Sequence, residues 1–280
     1  MAEYPPEKAP KPGLNIYGGG LPNPAKLTIM AEELGIPYNL ITMNLADIRS
    51  PWYEPINPNG KLLAIVHMRE DGTSETVFES GACLLYLAHE FDKEHRFHDP
   101  VGTSGYWKQL SWLSWQISGY GPMMGQAVHF HRYTPEPVPY GAWRYGAECR
   151  RLNHVLEKQL STSPFVAGTR PTIADFAVFI YAHSAKWCGI DIAAYPHVQA
   201  WCKALSQRPA VQRGLQVPTP YMTGDDGVVD PANQDALKMM RGHFSKVFKE
   251  ASDQWWQGPG SEVVALPSDH ANHGDGGAAQ

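Results

Sequence analysis

Residues 14–43 read LNIYGGGLPNPAKLTIMAEELGIPYNLITM, and the order of patterns in this stretch decides the fold. Leu14-Asn15-Ile16-Tyr17 is a short strand, stopped by Gly18-Gly19-Gly20. Asn23-Pro24 then opens an apolar-periodic run through Leu27, Ile29, Met30 and Leu34. That spacing predicts a helix with Asn23 as N-cap and Pro24 at its first position. Gly35 closes it, because glycine takes the left-handed conformation at a helix end at little cost. Tyr38 to Met43 is a second strand. The order is β-α-β, with a connection long enough for parallel pairing.

The pattern continues downstream. A polar connection runs through Asn57-Pro58-Asn59-Gly60, and Leu62 to Met68 reads as a third strand. Asp71-Gly72 marks a turn, and Glu75 to Phe78 is a fourth strand that pairs as a hairpin. Ser80 is expected to cap a helix whose apolar residues are Cys83, Leu84, Leu87 and Phe91. An N-terminal half reading βαβ-ββα has the order of a thioredoxin-like domain. Beyond Val101 strand signals almost vanish. Helical patterns cover Tyr106 to Tyr133 (with a kink or break near Gly119, Gly121 and Pro122), Tyr140 to Leu160, Thr172 to Trp187 and Tyr195 to Leu205. The expected fold is an α/β half followed by an all-α half and a C-terminal helical extension. The expected boundaries are a flexible arm over 1–13, a thioredoxin-like domain over 14–94 and a helical domain over 102–218. A linker, an amphipathic helix from Asp230 to Trp256 and a disordered tail make up 219–280.

Composition narrows the function classes. The 280 residues carry 23 Lys plus Arg against 28 Asp plus Glu, a net charge of −5. A nucleic-acid binder usually shows a basic balance, so that class and a nucleic-acid partner are set aside. No apolar run is long enough to span a bilayer, and MAEYPPEKAPKPG does not read as a signal peptide. Four cysteines, with no pair spaced C-x-x-C, make neither a disulfide scaffold nor a zinc motif. A soluble, cytoplasmic protein without a membrane partner is the expectation.

Several groups of residues could carry chemistry. Gly18 to Pro24 leads a strand into a helix start, where free N–H groups and the positive dipole end stabilise an anion or a thiolate. Asn23 can donate its amide to such a thiolate, or it caps its own helix. Glu79-Ser80 stands at another helix start. Ser80 and the following amides can hold a carboxylate while Glu79 holds an ammonium group, or Ser80 is a cap and Glu79 a solvated charge. Thr172 and Asp175 read as a structural capping box. Trp112, Trp115, Gln116 and the run Pro122 to Gln126 form a stripe that suits either an apolar pocket or plain core. His129 and His131 lack a third ligand at useful spacing, so no metal is expected.

These features stand in a fixed order: Leu21-Pro22-Asn23, Asn57-Pro58-Asn59-Gly60-Lys61, Phe78-Glu79-Ser80-Gly81, Leu84-Leu85-Tyr86-Leu87-Ala88, Trp112 to Gln126, and Thr172-Ile173-Ala174-Asp175-Phe176. Over roughly residues 14–215 the chain strongly resembles the cytosolic glutathione transferases. It is most similar to the bacterial nu class and the fungal group related to the yeast prion-forming nitrogen-catabolite regulator. The resemblance implies glutathione as co-substrate, with Asn23 near its sulfur and Glu79 and Ser80 at its γ-glutamyl head. It implies that the Leu62–Leu63 backbone pairs with the peptide as an added strand. It also implies a homodimer in which Arg144 reaches across toward the partner's peptide. Leu21, Tyr120, Met124, Phe130 and Trp187 are the residues expected to line the pocket for a small apolar electrophile.

Two positions depart from the group's pattern. Leu21 stands where the group usually has Thr, which removes a thiol-directed hydroxyl. Leu63 stands where a cis-proline is usual; either its peptide bond keeps the cis geometry or the glutathione edge is reshaped. The expected activity is glutathione transfer to an electrophilic or unsaturated substrate. The alternatives are a glutathione-dependent disulfide reductase or isomerase, and a non-catalytic regulator or scaffold.

Overall fold

A computed structural model describes residues 4–218 other than 45 and 135, together with residue 246. Apart from residue 246, the expected amphipathic helix from Asp230 and the tail lie outside the described residues.

Strands β1 (Gly13–Gly18), β2 (Tyr38–Thr42), β3 (Ala64–Met68) and β4 (Ser74–Phe78) form one sheet in the order β2-β1-β3-β4. β1 pairs with β2 in parallel, Leu14 opposite Tyr38, as the crossover through α1 (Pro22–Leu34) requires. β1 pairs with β3 antiparallel, Tyr17 opposite Ala64, and β3 with β4 as a hairpin, Ala64 opposite Phe78. With α2 (Ser80–Phe91) this is the thioredoxin-like arrangement expected from the pattern. The helical half follows as α3 (Ser104–Trp115), α4 (Gly121–Val128), α5 (Pro139–Leu160), α6 (Ile173–His183), α7 (Pro196–Ser206) and α8 (Pro209–Gly214). Among the described residues no helix is long and apolar enough to cross a membrane.

α6 sits at the centre of the helical half, with Phe176, Phe179 and Ile180 fully buried. Its first turn is fastened by Asp175, whose carboxylate accepts from the N–H of Thr172 (2.9 Å), the N–H of Val166 (2.9 Å) and the indole of Trp201 (3.1 Å). The Thr172–Asp175 pair is thus the structural cap that its spacing predicts. The two halves share their packing: α1 lies against α6 and α8, and Arg208 pairs with Glu33 across that contact.

Four details differ from the sequence reading. Residues 4–13 are held rather than loose. Lys8 pairs with Asp47 at 2.9 Å, and the Tyr17 hydroxyl donates to the Lys8 carbonyl at 2.9 Å. α1 begins at Pro22, with Leu21 as its N-cap, so Asn23 lies inside the first turn and does not cap the helix. Pro22 fixes a helical φ two residues earlier than Pro24 would. The N-cap of α2 is Glu79, and Ser80 is the first helical residue. The interruption expected near Gly119, Gly121 and Pro122 is present, as a π-helical turn rather than a kink or a break. α3 runs into a π-helical turn, Gln116–Tyr120, then α4, then a second π turn, His129–Tyr133. The wider π turn shifts the hydrogen-bond ladder just where Pro122 lacks an N–H to contribute.

Candidate functional site

The site forms where the start of α1, the start of α2 and the segment before β3 meet. Asn23 is partly buried in the first turn of α1. The Tyr181 hydroxyl, on α6, donates to Asn23 Oδ1 at 3.2 Å. That bond occupies the oxygen and leaves the Asn23 amide N–H groups for an anion. Burial raises the Tyr181 phenol well above its ordinary value, so it remains a neutral donor. Leu21, 39% exposed, stands next to this point as an apolar neighbour.

At the start of α2, Glu79 is exposed, with its backbone in the left-handed region at φ 69° and ψ 126°. A non-glycine residue there costs on the order of 1–3 kcal/mol, and such strain gathers at working sites. Asn59 Nδ2 donates to Glu79 Oε1 at 3.1 Å and fixes the carboxylate's direction. Ser80 follows, buried, beside the free first N–H groups of α2. A carboxylate at Ser80 and an ammonium at Glu79 would each find an opposite partner.

The third wall is the segment ahead of β3. The Leu62–Leu63 peptide bond is cis, the first of the two geometries left open by the sequence. Asn57, buried, clamps this segment: its Nδ2 donates to the carbonyls of Lys61 (2.7 Å) and Leu63 (3.1 Å). The Tyr53 hydroxyl also donates to the Lys61 carbonyl. Leu62 is partly exposed and precedes the β3 ladder, which starts at Ala64, while Leu63 is buried in the core. An extended ligand backbone laid along Leu62 would meet peptide groups not engaged in that ladder.

Beneath these walls lies Lys26, 1% exposed. Its ammonium donates to Ser80 Oγ at 3.0 Å and to Gln116 Oε1 at 2.8 Å, and stands 5.2 Å from the centroid of the Tyr181 ring. Desolvation lowers its pKa to about 7, opposed by the Glu79 charge. Lys26, Tyr181, Gln116, Asn57 and Asn59 thus join the site without having been assigned a role in it by sequence reasoning. A usable signal was the lysine itself, set between Ala25 and Leu27 on a helix whose neighbouring residues are apolar.

Three of the residues expected to line an apolar pocket, Tyr120, Met124 and Trp187, are buried. Tyr120 and Met124 are both 0% exposed. Tyr120 stacks on Trp115 at 5.0 Å and donates to Asn153 Oδ1 at 2.9 Å, so its face of the helix is core. Trp187 is also buried, with the Arg132 guanidinium 4.4 Å from its ring centroid and its indole N–H donating to the Tyr133 hydroxyl. Phe130 stacks on Tyr145 at 5.2 Å. Leu21 and Phe130 are left with appreciable surface. Arg144 is exposed on α5, and among the described residues no hydrogen bond or ion pair ties it to the site. The His131 ring stands against Gly189, and His129 meets Phe130 edge to face. All four cysteines are buried. Burial pushes the Cys149 thiol up to about 12 and raises those of Cys83 and Cys188 further. None has the exposed, electropositive setting of a reactive thiol.

Two family models match the chain: the glutathione S-transferase N-terminal domain over residues 22–90, and the glutathione S-transferase C-terminal domain over residues 147–209. A relative named disulfide-bond oxidoreductase YfcG, from Escherichia coli, is 38% identical over 208 residues, spanning 72% of this chain and 94% of its own length. The glutathione S-transferase-like protein tpcF of Aspergillus fumigatus is 35% identical, covering 72% of this chain and 94% of the relative. Among solved structures, a glutathione transferase homolog from Lodderomyces elongisporus with two GSH per subunit superposes with a TM-score of 0.70 at 35% identity. That match covers 75% of this chain and 100% of the other.

Proposed function

Because the chain belongs to the glutathione S-transferase superfamily, we propose that it binds glutathione and holds its sulfur as a thiolate for attack on an electrophilic carbon or an activated alkene. The observation that carries the reading is the Tyr181–Asn23 bond, which engages Asn23 Oδ1 at the start of α1 and leaves its amide N–H groups available to a ligand. The helix N-terminus and that amide together favour a negative sulfur, which lowers the thiol pKa. Ser80 takes the γ-glutamyl carboxylate, Glu79 the ammonium, and the Leu62 backbone the cysteinyl peptide unit. The thiolate forms the new C–S bond, and the leaving group departs with the electron pair, or the alkene carbon takes up a proton. The protein's part is orientation and preorganised charge. Calorimetry with glutathione tests the reading: saturable binding with an ultraviolet thiolate signal near neutral pH is expected. Absence of binding at millimolar glutathione would overturn it in favour of a non-catalytic role.

A second reading has its own support. With every cysteine buried, any disulfide chemistry would use the sulfur of bound glutathione. The glutathione thiolate would attack one sulfur of a disulfide and release the other as a thiolate. A second glutathione would then complete the reduction, giving glutathione disulfide. The similarity to a protein named a disulfide-bond oxidoreductase favours assaying this next to transfer. A cytoplasmic setting, kept reducing by glutathione, suits both readings. We further propose a two-fold homodimer. Trp107, Tyr140 and Trp143 expose large apolar surfaces of the kind that partners cover, and Arg144 would then approach the neighbouring site.

A further inference from the structure

Lys26 is a buried cation with neutral hydrogen-bond partners. They are the Ser80 hydroxyl, the Gln116 amide oxygen and, beneath the ammonium, the Tyr181 ring. Among the described residues no carboxylate forms an ion pair with it. A buried charge without a paired charge is expensive, and so is receptive to an anion brought by a ligand. The ammonium also sets the direction of Ser80. It has donors only, so Ser80 Oγ must accept from it and must aim its own hydrogen elsewhere. Ser80 is the first residue of α2, so its hydroxyl hydrogen is available to an anionic oxygen that also meets the free first amides of that helix.

We propose that Lys26 is the positioning residue and buried counter-cation for the glutathione γ-glutamyl carboxylate, acting through Ser80, so that glutathione binding and Lys26 protonation are coupled. The proposal rests on the glutathione reading above. A carboxylate hydrogen-bonded to Ser80 lies one hydroxyl away from the ammonium, close enough to favour its charged form. Lys26 is faced by groups on several elements. Glu79, at the junction of β4 and α2, favours the charged amine, and Tyr181 on α6 stays neutral because burial raises its phenol. Ser80 on α2, Gln116 in the first π turn and Asn23 on α1 itself do not titrate. In the free protein Lys26 has a pKa of about 7, and the arriving carboxylate raises it. Between those two values binding must take up a proton. Above them the amine is neutral, it can accept from Ser80, and the donor that held the carboxylate turns inward.

The probe is S-methylglutathione, whose thioether cannot ionise and so adds no proton of its own from sulfur. Binding is measured by calorimetry from about pH 6 to about pH 8, in buffers of different ionisation enthalpy. The wild-type protein is expected to take up a substantial fraction of a proton toward the upper end and to bind more weakly there. Lys26→Met is expected to lose that uptake, and to bind about tenfold more weakly near pH 6, where the lost charge matters most. Should Lys26→Met not fold, Lys26→Gln replaces it with the same expectation, because the ligand's own amine also takes up protons toward pH 8 and only the difference between the two proteins belongs to Lys26. Wild-type binding without proton uptake and with a flat pH dependence overturns the proposal while leaving the glutathione reading intact. A folded Lys26→Met that keeps the wild-type pH profile overturns it likewise, since Lys26 would then be structural only. If the wild-type protein binds neither glutathione nor S-methylglutathione, both fall.

Discussion

Tyr181 donates its hydroxyl to Asn23 Oδ1 at 3.2 Å, across 158 positions of sequence. The bond ties the helical half to the point where the sulfur is proposed to sit. Tyr181→Phe removes one hydrogen bond and frees the Asn23 amide to turn over. A single hydrogen bond contributes about 1 kcal/mol, so the pKa of bound glutathione should rise by somewhat under one unit. Asn23→Ala removes the donor itself and should raise it further. Thiolate absorbance of bound glutathione, titrated in the three proteins, checks the order. Equal pKa values in all three would remove Asn23 from the mechanism.

Glu79 is directed by Asn59, whose amide donates to it at 3.1 Å on an exposed surface. Asn59→Ala leaves Glu79 in place but free to rotate. KM for glutathione should rise about three- to tenfold, with kcat at saturating glutathione close to wild type, because the contact is made equally in ground and transition states. Steady-state kinetics against glutathione concentration reads this directly.

The order of elements was legible because strand and helix periods alternate cleanly through residues 14–91. Apolar residues also run at helical spacing through the second half. Helix starts were less legible. Asn23 and Ser80 look like caps, yet Pro22 begins α1 two residues before Pro24, and Glu79 takes the cap of α2. α8 has six residues, too few to show a period. The deeper omission is Lys26. Its partners lie 54 and 90 positions away, so no local pattern announces a charge held inside the fold. Tyr120 and Met124 failed as pocket residues for a related reason. A stripe of aromatic and Met side chains reads alike whether it faces a ligand or Asn153 and the core.

Burial of Lys26 also bears on stability. Its folded pKa, about 7, lies below the unfolded value of about 10.4. Between these values the unfolded chain binds the extra proton, so stability rises with pH across this window. Below pH 7 both states are protonated and the cost of the buried charge is fully present. Urea midpoints of wild type and Lys26→Met, compared at about pH 7 and about pH 9, isolate the contribution. The gap between the two proteins should shift in favour of wild type as pH rises, by at most about 1.4 kcal/mol per pH unit.

Asp175 accepts from two backbone N–H groups, from the Thr172 hydroxyl and from the Trp201 indole. Asp175→Ala orphans these buried donors together and should cost about 3–5 kcal/mol, enough to threaten folding. Asp175→Asn keeps one acceptor oxygen and should cost less. Denaturant unfolding of both variants checks the ranking.

Leu21 is the N-cap of α1, with φ −118° and ψ 161° and no side-chain capping bond. That extended backbone is the conformation from which a Ser or Thr hydroxyl reaches the amides of the first turn. Leu21 is also 39% exposed, so replacing it sacrifices little burial. Leu21→Thr should therefore stabilise the fold by roughly 0.5–1 kcal/mol, read as a higher Tm. In the glutathione-bound protein the same hydroxyl has a competing use, since it can turn from the helix toward the thiolate. A variant with higher Tm and an unchanged glutathione pKa would mark the hydroxyl as a cap. A variant with unchanged Tm and a lowered pKa would mark it as a second donor to sulfur beside Asn23.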